Sequence, residues 1–448
     1  MGIKKQKLQL RYMGQFGLLA GFVLLLVGFL SCKEDYSFRN AAMDGIPFDP
    51  NKPVEVGTIM PDSGGYKTPF VIEGSNFGTD ISKIKVIFSG ENTTRVAPLV
   101  RSNGELIYGI MPKLDNGLNE VRVEIEGLEK VMSPTRFSYT KVEQVTTVAG
   151  KNGVAGYVDG TLVESRFGNI LGMNVVTGNN LIICEGKHNR VRMLSVDENK
   201  VSTLMTGYNF GHPAVTKDGT TAYVVAIGSP HIVFRFAQKD SWTGKKMVSS
   251  IIDKEKGLID GDIYACALDD EEKHLYFRDH KGRFARLEIA DPVNVEILNE
   301  KCGDVDKQIS YIAWNPVDKC FYMTVQNAQG IYKVSNDGKQ VEPYAGFNGV
   351  GGEDGPRLNA SFRNPTGMAF DADGNMYVTD SMGFIIRKIN RIDGLVTTVA
   401  GQYNKNGGDD GLPLDARFNY PYDICIDDEG SFYIGLSHGC SVRKYAVE

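Results

Sequence analysis

The sequence has no apolar run of bilayer length. Its nearest approach, Phe16 to Leu30, is uncharged for 15 residues, short of the roughly 20 that a membrane-spanning helix needs. No long amphipathic helical pattern follows residue 31, so a helical bundle is excluded. A Gly-x-Ser-x-Gly elbow and a phosphate-binding P-loop are both missing, as is the His-x-x-His or His-x-Glu spacing of many zinc sites. Positive charge is also short. Lys and Arg number 49 against 55 Asp and Glu, a net charge of −6, and the first 31 residues hold four of the positive charges and none of the negative, so the remainder stands at −10. That balance argues against nucleic acid as a partner, because phosphate binding requires concentrated cations.

Cysteine is sparse. The six cysteines after Cys32 fall mostly in strand-like segments without close pairing, and Cys425 and Cys440 lie on first and third strands of one repeat, which are not neighbours. They are read as buried thiols. What the chain has in plenty is glycine, 51 residues, recurring as Gly-Asp, Asp-Gly and Gly-Gly between short runs of Val, Ile, Tyr and Phe. Strands joined by tight turns predict an all-β class, and 448 residues predict two or more structural units.

The N-terminus carries Lys4, Lys5, Lys7 and Arg11, then the apolar stretch, then Leu30-Ser31-Cys32. This resembles a bacterial lipoprotein signal: residues 1–31 are expected to be removed and Cys32 to be lipidated. Lys33-Glu34-Asp35 resembles the signal that sends lipoproteins of some Gram-negative bacteria to the outer face of the outer membrane. Residues 32–52 then read as a flexible linker, able to reach about 65 Å when extended.

Between 53 and 140, IMPDSGG, VIEGSNFG, KVIFSG and a closing FSYT follow one another among short strands. Their order resembles that of IPT/TIG domains, and this implies an immunoglobulin-like β-sandwich serving as a spacer or binding module.

Residues 141–448 are repetitive. RFGNILGMNVVTGNNLIICEGKHNRVRMLSVDENKVSTLM (166–205), SFRNPTGMAFDADGNMYVTDSMGFIIRKINRIDGLVTTVAG (361–401) and RFNYPYDICIDDEGSFYIGLSHGCSVRKYAVE (417–448) share one template, and weaker copies begin near Phe210, Asp260 and Ile309. The last copy has three strand-like segments where the others have four, while VTTVAG occurs at 145–150 ahead of the first copy and again at 396–401. The early copy is therefore expected to supply the missing fourth strand and close a ring of six four-stranded sheets. The pattern F-x-x-P-x-G, D-x-x-G-N-x-Y-V and R-K in Phe362 to Lys388 resembles NHL repeats, which implies a six-bladed β-propeller. Such folds host enzymes, ligand binders and scaffolds alike.

Strand order places the loops entering each repeat and the turns between second and third strands on one face. His188, His231, His280 and His438 map to those turns, and His212 starts a first strand. Tyr157, Tyr208, Tyr264, Tyr403, Tyr420 and Tyr422 map to the same face. Tyrosine offers a flat apolar ring with a polar tip, suited to a sugar, but for any single ring packing at a repeat junction is the favoured reading. The histidines can hydrogen-bond a ligand or converge on a metal. The long glycine-rich loops 151–165, 347–361 and 402–416, and a basic residue in every third strand (Arg192, Arg235, Arg286, Lys333, Arg387, Arg443), read as structural. So does the Asp371, Asp373, Gly374, Asn375 run as a hairpin turn, since it lacks the glutamate of a calcium loop. Trp314 reads as core.

These features lead to a non-catalytic lipoprotein that faces the cell exterior, needs no cofactor and binds an extracellular polysaccharide or oligosaccharide beside an outer-membrane transporter. The glycan is an analogy with accessory lipoproteins of glycan-uptake systems. Two alternatives stand: a module docking on a transporter or matrix protein, and a metal-dependent lyase or lactonase requiring several of the histidines at one ion.

Overall fold

The computed structural model describes residues 45–447 except 126, 127, 129, 187, 188, 229, 230, 249–251, 254–256, 259, 260, 293 and 304–308. The signal segment and Cys32 lie outside the described residues. The chain divides into two compact units at Lys141/Val142, and both are built from β-strands.

The first unit is a sandwich. One sheet joins Glu55–Met60, Pro69–Ser75, Leu106–Ile110 and Leu99–Ser102; the other is built around Gly117–Ile125, flanked by Phe137–Tyr139 and Ile84–Ser89. From Asn119 to Ile125 every second residue is buried, the period-2 pattern of a strand with one face on a core. Phe88 sits between Phe70 and Phe137, with ring centroids 5.4 and 6.0 Å away. Residues 45–52, which the sequence places in a linker, are instead held on this sandwich. Asn76 donates to the Asp49 and Lys52 carbonyls and accepts from the Asp49 amide, and Phe48 packs beside the core. Asparagine at that position satisfies three backbone groups that composition alone leaves unassigned.

The second unit is a six-bladed propeller. Its blades begin with the strands Ile170–Val176, Ala214–Val215, Ile263–Leu268, Ser310–Asn315, Pro365–Phe370 and Pro421–Ile426. Each of these first strands touches the next in order, and the sixth touches the first. The sixth blade is completed by Glu143–Gly150, which pairs antiparallel with Ser441–Val447 from Glu143 opposite Val447 to Gly150 opposite Ser441. The repeated hexapeptide has this cause: both copies are fourth strands.

The second threonine of that hexapeptide has a job of its own. Arg192, Arg387 and Arg443 are fully buried. Each donates to one carbonyl inside the glycine-rich loop entering its blade, to a second at or just past the loop's end, and to an aspartate of the loop: Asp159, Asp354 and Asp410 at 2.7, 2.9 and 2.7 Å. The same aspartates accept the amide and hydroxyl of Thr203, Thr398 and Thr147 on the fourth strand. Each guanidinium also lies over a phenylalanine ring, Phe167, Phe362 or Phe418. The three loops are thus tied down by a planar five-donor fork, which lysine cannot imitate. Arg235 and Arg286 make simpler pairs with Asp240 and Glu296. Asp371 accepts from the Asp373 and Asn375 amides, so that run is a hairpin turn. All six described cysteines are buried free thiols.

Candidate functional site

One hydrogen bond recurs in every blade and defines a face. An amide in the turn between second and third strands donates to a carbonyl ahead of the first strand, one residue before it in five blades and five before it in blade two: Gly186 to Asn169, Ile227 to Asn209, His280 to Asp262, Gln326 to Ile309, Ser381 to Asn364 and Ser437 to Tyr420. Turns and strand starts are therefore stitched together around one end of the propeller axis.

At that end the first strands present tyrosine at matching positions in blades three, four and six. Tyr264 and Tyr422 are half-buried and Tyr311 is buried. The Tyr311 and Tyr422 rings meet edge-on at 5.8 Å, and the Gln326 side-chain amide donates to the Tyr422 hydroxyl at 3.2 Å. Burial pushes the Tyr264 phenol up to about 12, with Asp262 and then Tyr422 adding to the effect. Tyr311 is pushed well up by burial, and Tyr422 upward by the same cause. Burial thus favours the neutral, hydrogen-bonding phenol at all three positions.

Beneath them the axis is bridged. The Tyr311 hydroxyl crosses from blade four to the Leu171 carbonyl of blade one. From blade two, His212 Nδ1 lies 2.6 Å from Asp423 Oδ2 of blade six, and that oxygen also accepts the Met173 amide at 2.7 Å. Glycines make this possible. A Cβ on Gly172 would lie 2.5 Å from the His212 Cα, and one on Gly367 would lie 2.1 Å from Asp423 Oδ1. The carboxylate is fully buried, and its Oδ1 has no hydrogen-bond partner.

The predicted site residues separate into groups. His212, Tyr264, His280 and Tyr422 gather around the axis, with the Tyr264 and His280 ring centroids 6.0 Å apart. Tyr420 and His438 form a second pair, 4.3 Å between rings, with Phe384 against Tyr420. Tyr157 is exposed under the Arg190 guanidinium. Three others are packed. Tyr208 lies against Phe210 and Phe234 in the core between blades one and two. Tyr403 covers Gly352, where a Cβ would lie 2.4 Å from the ring. His231, expected at a surface turn, is fully buried; its backbone is in the left-handed region at φ 49°, and its Nδ1 lies 3.3 Å from the Ala226 carbonyl. His188 lies outside the described residues. Among the described residues no group of three or more His, Cys, Asp or Glu side chains is placed to hold a metal.

Sequence reasoning missed Tyr311, Gln326 and Asp423. Tyr311 was within reach, because SYIAWN aligns with DIYACAL and PYDICI at the tyrosine. Asp423 was visible as a charge inside an otherwise apolar strand.

His231 yields a pH prediction. Desolvation lowers its pKa below the ordinary histidine value, so the unfolded chain binds that proton more readily. The stability is whole above about pH 6.5 and is lost progressively as pH falls below it, by at most about 1.4 kcal/mol per pH unit. His231→Asn, which tolerates the positive φ, is expected to flatten that part of the melting-temperature profile between pH 5 and 7.5. An unchanged slope in calorimetry would show that other groups carry it.

With this geometry in place, comparison with known proteins is informative. The IPT/TIG domain model matches residues 55–139. A solved structure of a protein of unknown function from Bacteroides thetaiotaomicron is 34% identical, covering 90% of this chain and 100% of that one with a TM-score of 0.69. This chain belongs to that protein's family. The family fold recurs in two auxiliary nutrient binding proteins: one from Bacteroides thetaiotaomicron, 24% identical with a TM-score of 0.59, covering 90% of this chain and 99% of that one; the other from Bacteroides ovatus, 22% identical with a TM-score of 0.63, covering 90% and 100%. No curated protein matches. In this family member the stitched end of the axis brings together flat rings, phenol hydroxyls and the His280 imidazole over a hydrogen-bonded floor.

Proposed function

We propose that this chain is a lipid-anchored accessory protein on the outer face of the outer membrane, which binds a nutrient glycan at the tyrosine-lined end of its propeller. The observation that carries the reading is the convergence of half-buried Tyr264 and Tyr422 with His280 over the Tyr311 and His212–Asp423 floor. Such rings stack on the apolar face of a sugar while their hydroxyls bond its edge. The accessory role is supported by the names of the two fold relatives; the anchor is supported by Leu30-Ser31-Cys32 and Lys33-Glu34-Asp35. Blades one, five and six are read as NHL repeats on their sequence pattern.

Affinity electrophoresis of the unlipidated protein against soluble polysaccharides tests this. One glycan is expected to retard it, chelator is expected to change nothing, and Tyr264→Ala or Tyr422→Ala is expected to weaken retention roughly tenfold or more. No retardation by any glycan would sink the reading. A transporter-docking role would then lead, because Val163, Leu358 and Leu414 hold equivalent positions on three neighbouring blades and are 79%, 52% and 54% exposed.

A further inference from the structure

A cavity of about 260 Å³ lies on the propeller axis at the opposite end from the tyrosines. It is near the lower limit of ligand pockets, roughly 300–1,000 Å³. The bridged layer closes its inner end, where His212 lines it, and the turns after the first strands form its mouth. Its walls are mostly apolar, with Ala267, Ile312, Ala313 and Ile424 among them, and Trp314 at the mouth.

The carboxylates around the mouth are already hydrogen-bonded. Asp270 accepts from the Trp314 indole, Lys217 and Lys319. Asp269 accepts from the Glu271 and Glu272 amides and the Tyr276 hydroxyl, and Glu272 accepts from the Lys217 amide. An anionic guest would face these carboxylates, and a cationic one would find their oxygens already engaged in hydrogen bonds. His212 differs. Its Nδ1 is committed to Asp423, so Nε2 is the ring nitrogen left to a guest.

We propose that this cavity is a second binding site, distinct from the tyrosine-lined end, for a small neutral ring-shaped molecule whose hydroxyl bonds His212 Nε2 and whose ring packs between Ile312 and Trp314. Trp242 and Trp314 are the chain's two tryptophans, and this makes the site readable. In a Trp242→Phe background, cyclohexanol titrated against Trp314 emission is expected to give a saturable shift, confirmed by calorimetry. His212→Asn keeps a donor at the position of Nδ1 and removes Nε2; it is expected to weaken binding about fivefold, the loss of one net hydrogen bond. Ala313→Phe fills the cavity without touching the polar layer and is expected to abolish the shift. A linear, non-saturating response overturns the proposal, as does equal affinity in either variant.

Discussion

Val145→Asp is expected to lower the stability of the propeller by more than about 4 kcal/mol, because it adds an unpaired buried charge to the loss of a buried aliphatic side chain. Val145 is fully buried in the core shared by blades five and six, with Ile386, Ala400, Phe418 and Phe432. It also exchanges two backbone hydrogen bonds with Gly411. Folded domains stand only about 5–15 kcal/mol above their unfolded chains, so the change is a large part of the whole. Three residues earlier, Val142 is 47% exposed, and Val142→Asp is the matched control. Urea unfolding followed by intrinsic fluorescence is expected to move its midpoint far down for the first variant and hardly at all for the second. Equal midpoints would mean that the ring does not depend on its closing strand.

Arg443→Ala attacks the same closure from the other side. The buried guanidinium holds the Arg417 and Asp409 carbonyls at 2.8 and 2.9 Å and Asp410 at 2.7 Å, and Asp410 in turn holds Thr147 of the closing strand. Truncation leaves a cavity, two carbonyls without their donor and an aspartate without its cation. A cost of about 3 kcal/mol is expected, toward the lower end for broken buried pairs because Asp410 itself is partly in water. At roughly 1.5 °C per kcal/mol for a unit of about 300 residues, calorimetry should show a fall of about 5 °C. Arg443→Lys is expected to recover only a fraction, since an ammonium cannot span three acceptors in one plane. Full recovery by lysine would reduce the clamp to simple charge pairing.

The two experiments address one device. Blade six draws strands from residues 143–150 and 421–447, and the Arg443–Asp410–Thr147 chain bonds across that seam. The same chain of bonds in blades one and five lies within continuous sequence, at Arg192 and Arg387. Comparable truncations there are local losses, whereas at Arg443 the loss falls on the join of the ring.

Much of this was written in the order of the residues. Alternation of apolar and polar side chains, glycine-aspartate turns and a fourfold strand template are local features, so the all-β class, the six blades and the strand-swapped closure follow from the sequence by itself. The VTTVAG repeat is legible because its fourth-strand role recurs wherever it occurs. The functional surface is another matter. Which tyrosines pack and which gather at the axis depends on how blades lean together: Tyr208 and Tyr264 look alike in sequence, yet one fills a blade junction and the other stands over the axis. His231 maps to a turn, yet its ring is fully buried. The His212–Asp423 contact joins positions 211 residues apart, through gaps that exist only because Gly172 and Gly367 lack side chains. Local pattern sets which strands form, because it depends on near neighbours; the ring alone decides which side chains meet, because it brings six distant strands to one axis.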